Sequence, residues 1–318
     1  MINYIRHLPV GFFGSIIGLS ALAMAWRIAH NLLGVPEWIG IYIGYFAIAD
    51  FLFISVAYLV KVFLYWENVK TEFFHPVTGS LFSAIPISWM FIAGILLNDA
   101  PVIANEIWHI GAISMFLFMI IIIHRWMRSK GNAGFANPTW LLSVTGLASI
   151  PFIGLSFPVR AMWLFSQLSF AGGLILGISL FAMVISGLFF NKNQSAREDG
   201  AIFILIAPFV MSFLSYIRIK QTIDQFADIL YYSALFLFLV FVPKIFLLFK
   251  SGPFRTSWWG TSFPLSLLSI AALKYVGDQN IVLRVPTNIA LGLLGISSLA
   301  TAAIFFLCLL NLARGKRP

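Results

Sequence analysis

Few groups within the long apolar stretches of this chain are capable of acid, base or ligand chemistry. Two carboxylic acids, Asp50 and Glu106, lie in such stretches, and an ionisable group at membrane depth is a functional candidate by default. We expect both to have structural roles, such as bonding to the free backbone groups of a kinked neighbour, with proton coupling as the alternative. Glu106 and His109 form one Glu-x-x-His pair, whereas a di-metal helical bundle needs two. No metal site is therefore predicted.

The sequence lacks the common signatures of catalysis. Its five histidines have no metal-ligand spacing, and neither a G-x-S-x-G nor a Walker A motif is present. The single cysteine, Cys308, has no partner for an intramolecular disulfide. We therefore predict that the protein is not an enzyme and binds no cofactor.

The composition is that of an integral membrane protein. Hydrophobic residues make up 60% of the 318 residues and charged residues 10%, with a mean hydropathy of +0.95, whereas soluble domains are about 25% charged. No segment between the apolar stretches is long enough for a soluble domain, so we predict a single all-α transmembrane domain over residues 1–318. The formal charge of +9 indicates membrane topology and attraction to anionic lipid of the bilayer, and no nucleic-acid partner is expected.

The apolar stretches predict ten transmembrane segments, each close to the roughly 20 residues that cross a bilayer. The first is followed by Arg27 and His30 and not by a small-residue cleavage site, so we interpret it as a retained helix and not as a signal peptide. The predicted segments are Pro9–Trp26, Trp38–Leu64, Ser80–Leu97, Pro101–Trp126, Thr139–Phe157, Ala161–Phe190, Ala201–Ile219, Phe226–Leu248, Ser257–Tyr275 and Pro286–Leu312.

Lys and Arg are concentrated on one side of the predicted membrane. Fourteen of the 20 lie in the loops and termini of one side, and the remaining six lie on the other. Cytoplasmic loops carry the excess of these residues. We therefore predict a multi-pass protein of the plasma (inner) membrane with both termini in the cytoplasm.

The odd-numbered segments carry the residues expected to kink a helix, and we take the even-numbered segments to be free of interior proline. An interior proline removes a backbone hydrogen bond, at a cost of about 3 kcal/mol in an ordinary helix, and in a membrane the freed carbonyl must find protein or water. We therefore expect odd helices to face inward and even helices to form an outer wall. The predicted kink residues are Gly14, Gly18, Pro86, Pro151, Pro208 and Pro264.

The spacing of the four prolines indicates an internal repeat. Subtracting their numbers in order gives intervals of 65, 57 and 56 residues, each of which fits one helical hairpin. Similar sequences begin at His7, His75, Asn137 and Gly252, where predicted hairpins start. We predict five repeated hairpins whose odd helices form a ring around a common axis, an architecture frequent among membrane transport proteins.

Several motifs resemble one family of membrane proteins in the right order along the whole chain. The stretches "RHLPVGFFGSIIGLS", "EFFHPVTGSLFSAIPISWMF", "ANPTWLLSVTG" and "WWGTSFPLSLLSIAALKY" are similar to the tellurite-resistance/dicarboxylate transporter family, to which the plant guard-cell slow anion channels are related. The resemblance implies a homotrimer in which each protomer has five inner and five outer helices around its own pore. It also implies an anion pathway closed midway by a phenylalanine of the ninth helix, here Phe263.

The predicted gate has a simple physical basis. A break at Pro264 lets the ninth helix bend, so that the ring of Phe263 points into the lumen, and a hydrophobic constriction excludes water and ions. Away from their ends the odd segments contain no charged residue, and weak binding favours conduction. The hydroxyls expected along the lumen belong to Ser15, Ser80, Ser83, Ser143, Ser212 and Ser266.

These features predict a channel for small monovalent anions. The first alternative is a proton-coupled carrier of C4-dicarboxylates or other small anions, which should need a cationic or titratable site at the midplane. The second is a membrane scaffold without transport activity, which would have no reason to place helix breaks on alternate segments.

Overall fold

The computed structural model describes residues 5–128, 137–157, 160–190, 200–248, 254–278 and 284–314. Within these ranges every regular element is a helix. Gly252, at the start of the last predicted hairpin, and part of the cations used to predict orientation, such as Lys130, Lys192 and Lys250, lie outside the described residues.

Twelve α-helices are described. They are α1 (Phe13–Leu33), α2 (Glu37–Leu64), α3 (Trp66–Phe74), α4 (Thr78–Leu81), α5 (Ala84–Leu96), α6 (Pro101–Arg128), α7 (Trp140–Gly154), α8 (Arg160–Phe190), α9 (Ala207–Lys220), α10 (Gln225–Leu248), α11 (Trp259–Asp278) and α12 (Arg284–Ala313). Short 3₁₀ turns at Val10–Phe12, Gly200–Ile206 and Thr256–Trp258 lead into α1, α9 and α11.

Eight helical segments of the described chain are long and apolar enough to cross a membrane. This result confirms a multi-pass, all-helical membrane protein. Helix α7, with 15 residues, is shorter than the eight, and α11 is not among them, so the number of ten segments stays a prediction. The eight are Val10–Leu33, Glu37–Leu64, Thr78–Leu96, Pro101–Arg128, Met162–Phe190, Gly200–Lys220, Gln225–Ile245 and Pro286–Ala313.

Burial divides the long helices into two sets. In the segments that contain α1, α5 and α9, between 67% and 83% of the most apolar stretch is buried, against 22% to 39% in the other five. Helix α7 is buried from Leu141 to Gly154, and α11 from Thr261 to Leu273. We call α1, α5, α7, α9 and α11 the buried helices, and α2, α6, α8, α10 and α12 the exposed helices. The exposed helices present large apolar side chains such as Phe53, Phe63 and Leu299 outward, as a lipid-facing surface requires.

The buried helices pack against one another in a closed cycle. Helix α1 contacts α5 and α11, α7 contacts α5 and α9, and α9 contacts α11. Each buried helix also packs against the exposed helix that follows it in the chain: α1 with α2, α5 with α6, α7 with α8, α9 with α10 and α11 with α12. The side chains on the inner faces of five helices are therefore brought around one centre.

Two sequence-based expectations need correction. The first segment was expected to end at Trp26, but α1 continues to Leu33 and ends at Gly34, whose φ of 68° terminates the helix. The additional turn is possible because Arg27 is bonded within the protein, with Nη1 donating to the carbonyl of Ile95 at 2.7 Å. The expectation that even segments lack interior proline is wrong, since Pro243 lies inside α10. Transmembrane helices tolerate proline wherever the freed carbonyl finds another partner, so burial, and not proline, separates the two sets.

Candidate functional site

Three phenylalanines from three buried helices meet in the interior. Phe263 of α11 is 1% exposed and packs edge-to-face against Phe91 of α5, with ring centroids 5.2 Å apart. Phe91 in turn lies 6.4 Å from the ring of Phe152 of α7. An apolar contact of this kind across a ring of helices leaves no room for water between the facing rings.

Gly14 and Gly18 lie where α1 touches α11 beside this cluster. A Cβ at Gly14 would lie 2.9 Å from the Cβ of Trp259, and one at Gly18 would collide with Ser262 Oγ and lie 3.5 Å from the backbone nitrogen of Phe263. The α1 helix runs through both glycines. The missing side chains therefore allow α1 and α11 to approach closely one turn from the Phe263 ring.

The four prolines of the buried helices occupy two kinds of position. Pro151 and Pro264 stand inside α7 and α11. Pro86 and Pro208 stand in the first turns of α5 and α9, after a turn and a 3₁₀ segment. Proline is tolerated in a first turn because its missing N–H would have no helical partner there. The interruption that the sequence predicts at these two positions therefore precedes the proline.

The serines expected along the lumen fall into two groups. Ser83 and Ser143 donate to the carbonyl of Ser80, at 2.7 and 3.2 Å. The hydroxyls of Ser80 and Ser266 are buried without a hydrogen-bond partner among the described residues. A buried unpaired hydroxyl is costly unless water or an ion supplies the partner. Ser212 is also buried, on α9.

Asp50 connects an exposed helix to a buried one. Its Oδ2 lies 2.6 Å from the hydroxyl of Ser15, which is also 2.8 Å from the carbonyl oxygen of Phe12. The carboxyl group thus links α2 to the first turn of α1. This geometry is the one expected of a structural role, and it also places a titratable group against a buried helix.

Glu106 lies in a different environment. It is exposed in the second turn of α6, where Asn105 Nδ2 lies 3.3 Å from its Oε1, while His109 Nδ1 is 2.7 Å from the carbonyl oxygen of Asn105. Glu106 and His109 are therefore not joined in one site. Across the described ranges no group of three or more His, Cys, Asp or Glu side chains is placed to hold a metal ion.

A polar cavity opens where α1 begins. Glu72 of α3 accepts hydrogen bonds from Lys61 Nζ at 2.6 Å, from the Val10 N–H at 2.6 Å and from the Tyr58 hydroxyl at 3.0 Å, while Lys61 also donates to the Leu8 carbonyl. The cavity has a volume of about 530 Å³, and Arg6, His7 and His75 also line it. The ion pair holds the entrance to α1 against α2 and α3.

The opposite ends of the buried helices carry a second group of cations. Arg27 of α1 pairs with Asp99 at 3.5 Å. Arg218 of α9 donates from Nη2 to the hydroxyl of Ser156, two residues beyond the end of α7. Lys274 of α11 is half-buried and close enough to Arg218 for their charges to repel.

Several of these residues escaped the sequence analysis. Phe91 and Phe152 carry no signal that separates them from the other phenylalanines of this chain, and Lys61 and Glu72 are 11 positions apart in different helices. Asp228 was also passed over, although it lies within the predicted eighth segment; the structure places it in the first turn of α10. Its position inside an apolar stretch was the signal that could have identified it.

Comparison with known proteins identifies relatives over nearly the whole chain. The family model described as SLAC1, voltage-dependent anion channel, matches residues 7–314. The tellurite resistance protein TehA homolog of Haemophilus influenzae is 26% identical, and the alignment covers 94% of this chain and 93% of that protein.

Two plant proteins of Arabidopsis thaliana are similar at the same level. The S-type anion channel SLAH3 and the guard cell S-type anion channel SLAC1 are each 26% identical over 86% of this chain. The alignments cover 44% of SLAH3 and 50% of SLAC1, so the chain spans about half the length of these plant relatives.

Proposed function

The chain belongs to the SLAC1 family of voltage-dependent anion channels, and from this membership we propose that it conducts small monovalent anions across the plasma (inner) membrane. The proposed pore runs between the five buried helices of each protomer. Ten transmembrane segments, arranged as five hairpins, place the buried helices inside and the exposed helices outside, and Phe263 closes the pathway.

The closed cycle of uncharged helices is the observation that carries this proposal. The buried helices contact one another in a ring, and residues 13–26, 84–96, 140–154, 200–217 and 259–273 contain no Asp, Glu, Lys or Arg. An anion within such a ring meets helix dipoles and hydroxyls, with no fixed cation to hold it tightly. The unpaired hydroxyls of Ser80 and Ser266 are suited to receive water or a passing anion. Weak binding of this kind favours conduction over storage.

The gate is assigned to Phe263 on the basis of its position. Its ring is buried against Phe91 where α5 and α11 face each other, and Gly18 brings α1 to the same level of α11. Three of the five buried helices therefore converge at this residue. A hydrophobic contact at such a point blocks ions because they would have to shed their hydration water.

Current recordings from the purified protein in planar lipid bilayers test the proposal. We expect wild type to be nearly silent and Phe263→Ala to carry a large current. In asymmetric chloride, the reversal potential of that current should follow the chloride gradient, and substitution of nitrate for chloride should preserve conduction. Cation-selective current, or the absence of current from Phe263→Ala protein that is folded and reconstituted, would contradict the proposal.

The carrier alternative depends on Asp50, the carboxyl group that contacts buried helix α1 through Ser15. A proton-coupled carrier moves protons with its substrate, so its flux depends on a proton gradient and changes when the coupling group is replaced. Asp50→Asn preserves the size of the side chain and its capacity to hydrogen-bond. Anion flux that requires a proton gradient in wild type and loses that requirement in Asp50→Asn would favour the carrier.

The assembly and orientation are also proposals. The family resemblance supports a homotrimer with one pore in each protomer, and the distribution of Lys and Arg supports cytoplasmic termini. Mass measurement of the detergent-solubilised protein tests the first. Labelling of single cysteines in a Cys308→Ala background, from each side of the membrane, tests the second and also reports which helices face water.

A further inference from the structure

Two cations meet at the C-terminal ends of the buried helices without a carboxylate between them. Arg218 of α9 and Lys274 of α11 are both partly buried, and their charges interact repulsively. Within the described residues neither takes part in an ion pair, whereas Arg27 at the same end is paired with Asp99. Like charges held together away from bulk water raise the free energy of the protein unless a negative charge compensates them.

The acids nearby are engaged by other groups. Asp228 of α10 accepts a hydrogen bond from the hydroxyl of Tyr275 at 2.9 Å. Asp224, in the turn before α10, lies 2.6 Å from the hydroxyl of Tyr216 and accepts the N–H groups of Phe226 and Ala227. The protein thus leaves the positive charge of the Arg218 and Lys274 pair uncompensated by its own described carboxylates.

From these contacts we propose that Arg218, Lys274 and the Ser156 hydroxyl form a binding site for a small oxyanion, which loads the pore from this end. The inference rests on the proposed function for its role in conduction, although anion binding itself does not depend on it. Arg218 reaches across to Ser156 of the α7 end, so three helix ends contribute to one site. A guanidinium fork matches two oxygens of a planar anion, and the ammonium and hydroxyl groups add donors.

A favourable interaction with helix dipoles is a weaker explanation of these cations. A cation in the last turn of a helix is stabilised by the C-terminal carbonyl groups, and this accounts for one cation on each of α9 and α11. It does not account for the bond from Arg218 to a hydroxyl of a different helix end. It also does not require the two cations to lie next to each other.

The chain offers a matched control in Lys220. This residue lies two positions beyond Arg218, is exposed, and interacts favourably with Asp224. Lys220→Gln removes the same charge from the same end of α9 as Lys274→Gln removes from α11. A general electrostatic attraction at the mouth predicts similar effects of the two substitutions, whereas a defined site predicts an effect of Lys274→Gln alone.

The first test measures binding in the full-length closed protein. Sodium nitrate, compared with sodium chloride at equal ionic strength, should raise the melting temperature of wild type and of Lys220→Gln. Lys274→Gln should lose this nitrate-dependent increase while its melting temperature in chloride remains near that of wild type. Arg218→Lys, which keeps the charge but loses the fork, should show a reduced response to nitrate.

The second test measures conduction in a Phe263→Ala background. We expect Lys274→Gln to raise the nitrate concentration that half-saturates the current by about tenfold, as the loss of a charge-assisted hydrogen bond predicts, and Lys220→Gln to leave it nearly unchanged. Equal shifts for both variants, or no nitrate-dependent stabilisation of wild type, would overturn the site. Absence of current from Phe263→Ala together with intact, Lys274-dependent nitrate binding would overturn the proposed function and leave the site standing.

Discussion

Replacement of Phe263 by alanine separates a gate from an ordinary packed side chain. The ring is 1% exposed and its edge-to-face partner is Phe91, at 5.2 Å between centroids. Phe263→Ala removes the ring and leaves Pro264 and the α11 backbone unchanged in sequence. Phe213 of α9 offers a matched control, since it is also fully buried and packs against Tyr231 and Tyr275.

The two substitutions should differ in their cost. At Phe213, where the structure would be left with a closed cavity, we expect a loss of about 3–5 kcal/mol in the free energy of unfolding. At Phe263 the vacated volume joins the lumen and fills with water, so the cavity contribution largely disappears. What remains is chiefly the aromatic pair with Phe91, worth about 0.5–1.5 kcal/mol beyond area burial. We therefore expect a loss below about 2 kcal/mol for Phe263→Ala.

Thermal unfolding in detergent and anion current in bilayers measure the two consequences on the same preparations. Phe263→Ala should have the smaller fall in melting temperature and the larger current, and Phe213→Ala should have the reverse. If Phe263→Ala is destabilised as much as Phe213→Ala and carries no more anion current than wild type, Phe263 is a packing residue and the gate assignment is refuted.

Three further predictions concern the surrounding structure. Gly18→Ala should destabilise the protein and disturb the contact between α1 and α11, because the added Cβ collides with the facing side chain, whereas Gly292→Ala, with no atom within 4 Å of the added Cβ, should be neutral or stabilising in a thermal melt. Glu72→Gln should lower the free energy of unfolding by about 3–5 kcal/mol, since it leaves the charge of Lys61 buried at 3% exposure without its partner, and a Lys61→Met variant of the same protein should recover part of the loss. Hydrogen bonding from the tyrosine beside it lowers the pKa of Asp224, so its stabilising contribution is complete at neutral pH and is lost as the pH falls below about 4; the difference in melting temperature between wild type and Asp224→Asn should vanish over that range, and a constant difference would contradict this account.

The class of the protein was readable from the sequence because it depends on local properties. Length and hydropathy of consecutive residues decide whether a segment can span a bilayer, and the eight spans found in the structure fall within predicted segments or extend them by a few residues. The family resemblance is likewise confirmed by a match to residues 7–314. Helix ends were less predictable, as at Arg27, because a bond to the distant Ile95 carbonyl outweighed the polarity that seemed to end the helix.

The side-chain pairings belong to the tertiary structure alone. A membrane helix is apolar on several faces, so its hydrophobic pattern does not reveal which face turns inward. The contact of Phe263 with Phe91 and the approach of Lys274 to Arg218 each join residues many tens of positions apart. They arise from the rotation and packing of whole helices around a common centre. The sequence by itself therefore determined that the chain enters the membrane as apolar helices with kinks and small residues at particular positions. The packing of those helices decided which rings meet and which cations are left without a carboxylate, because such contacts depend on the relative placement of elements that local composition does not encode.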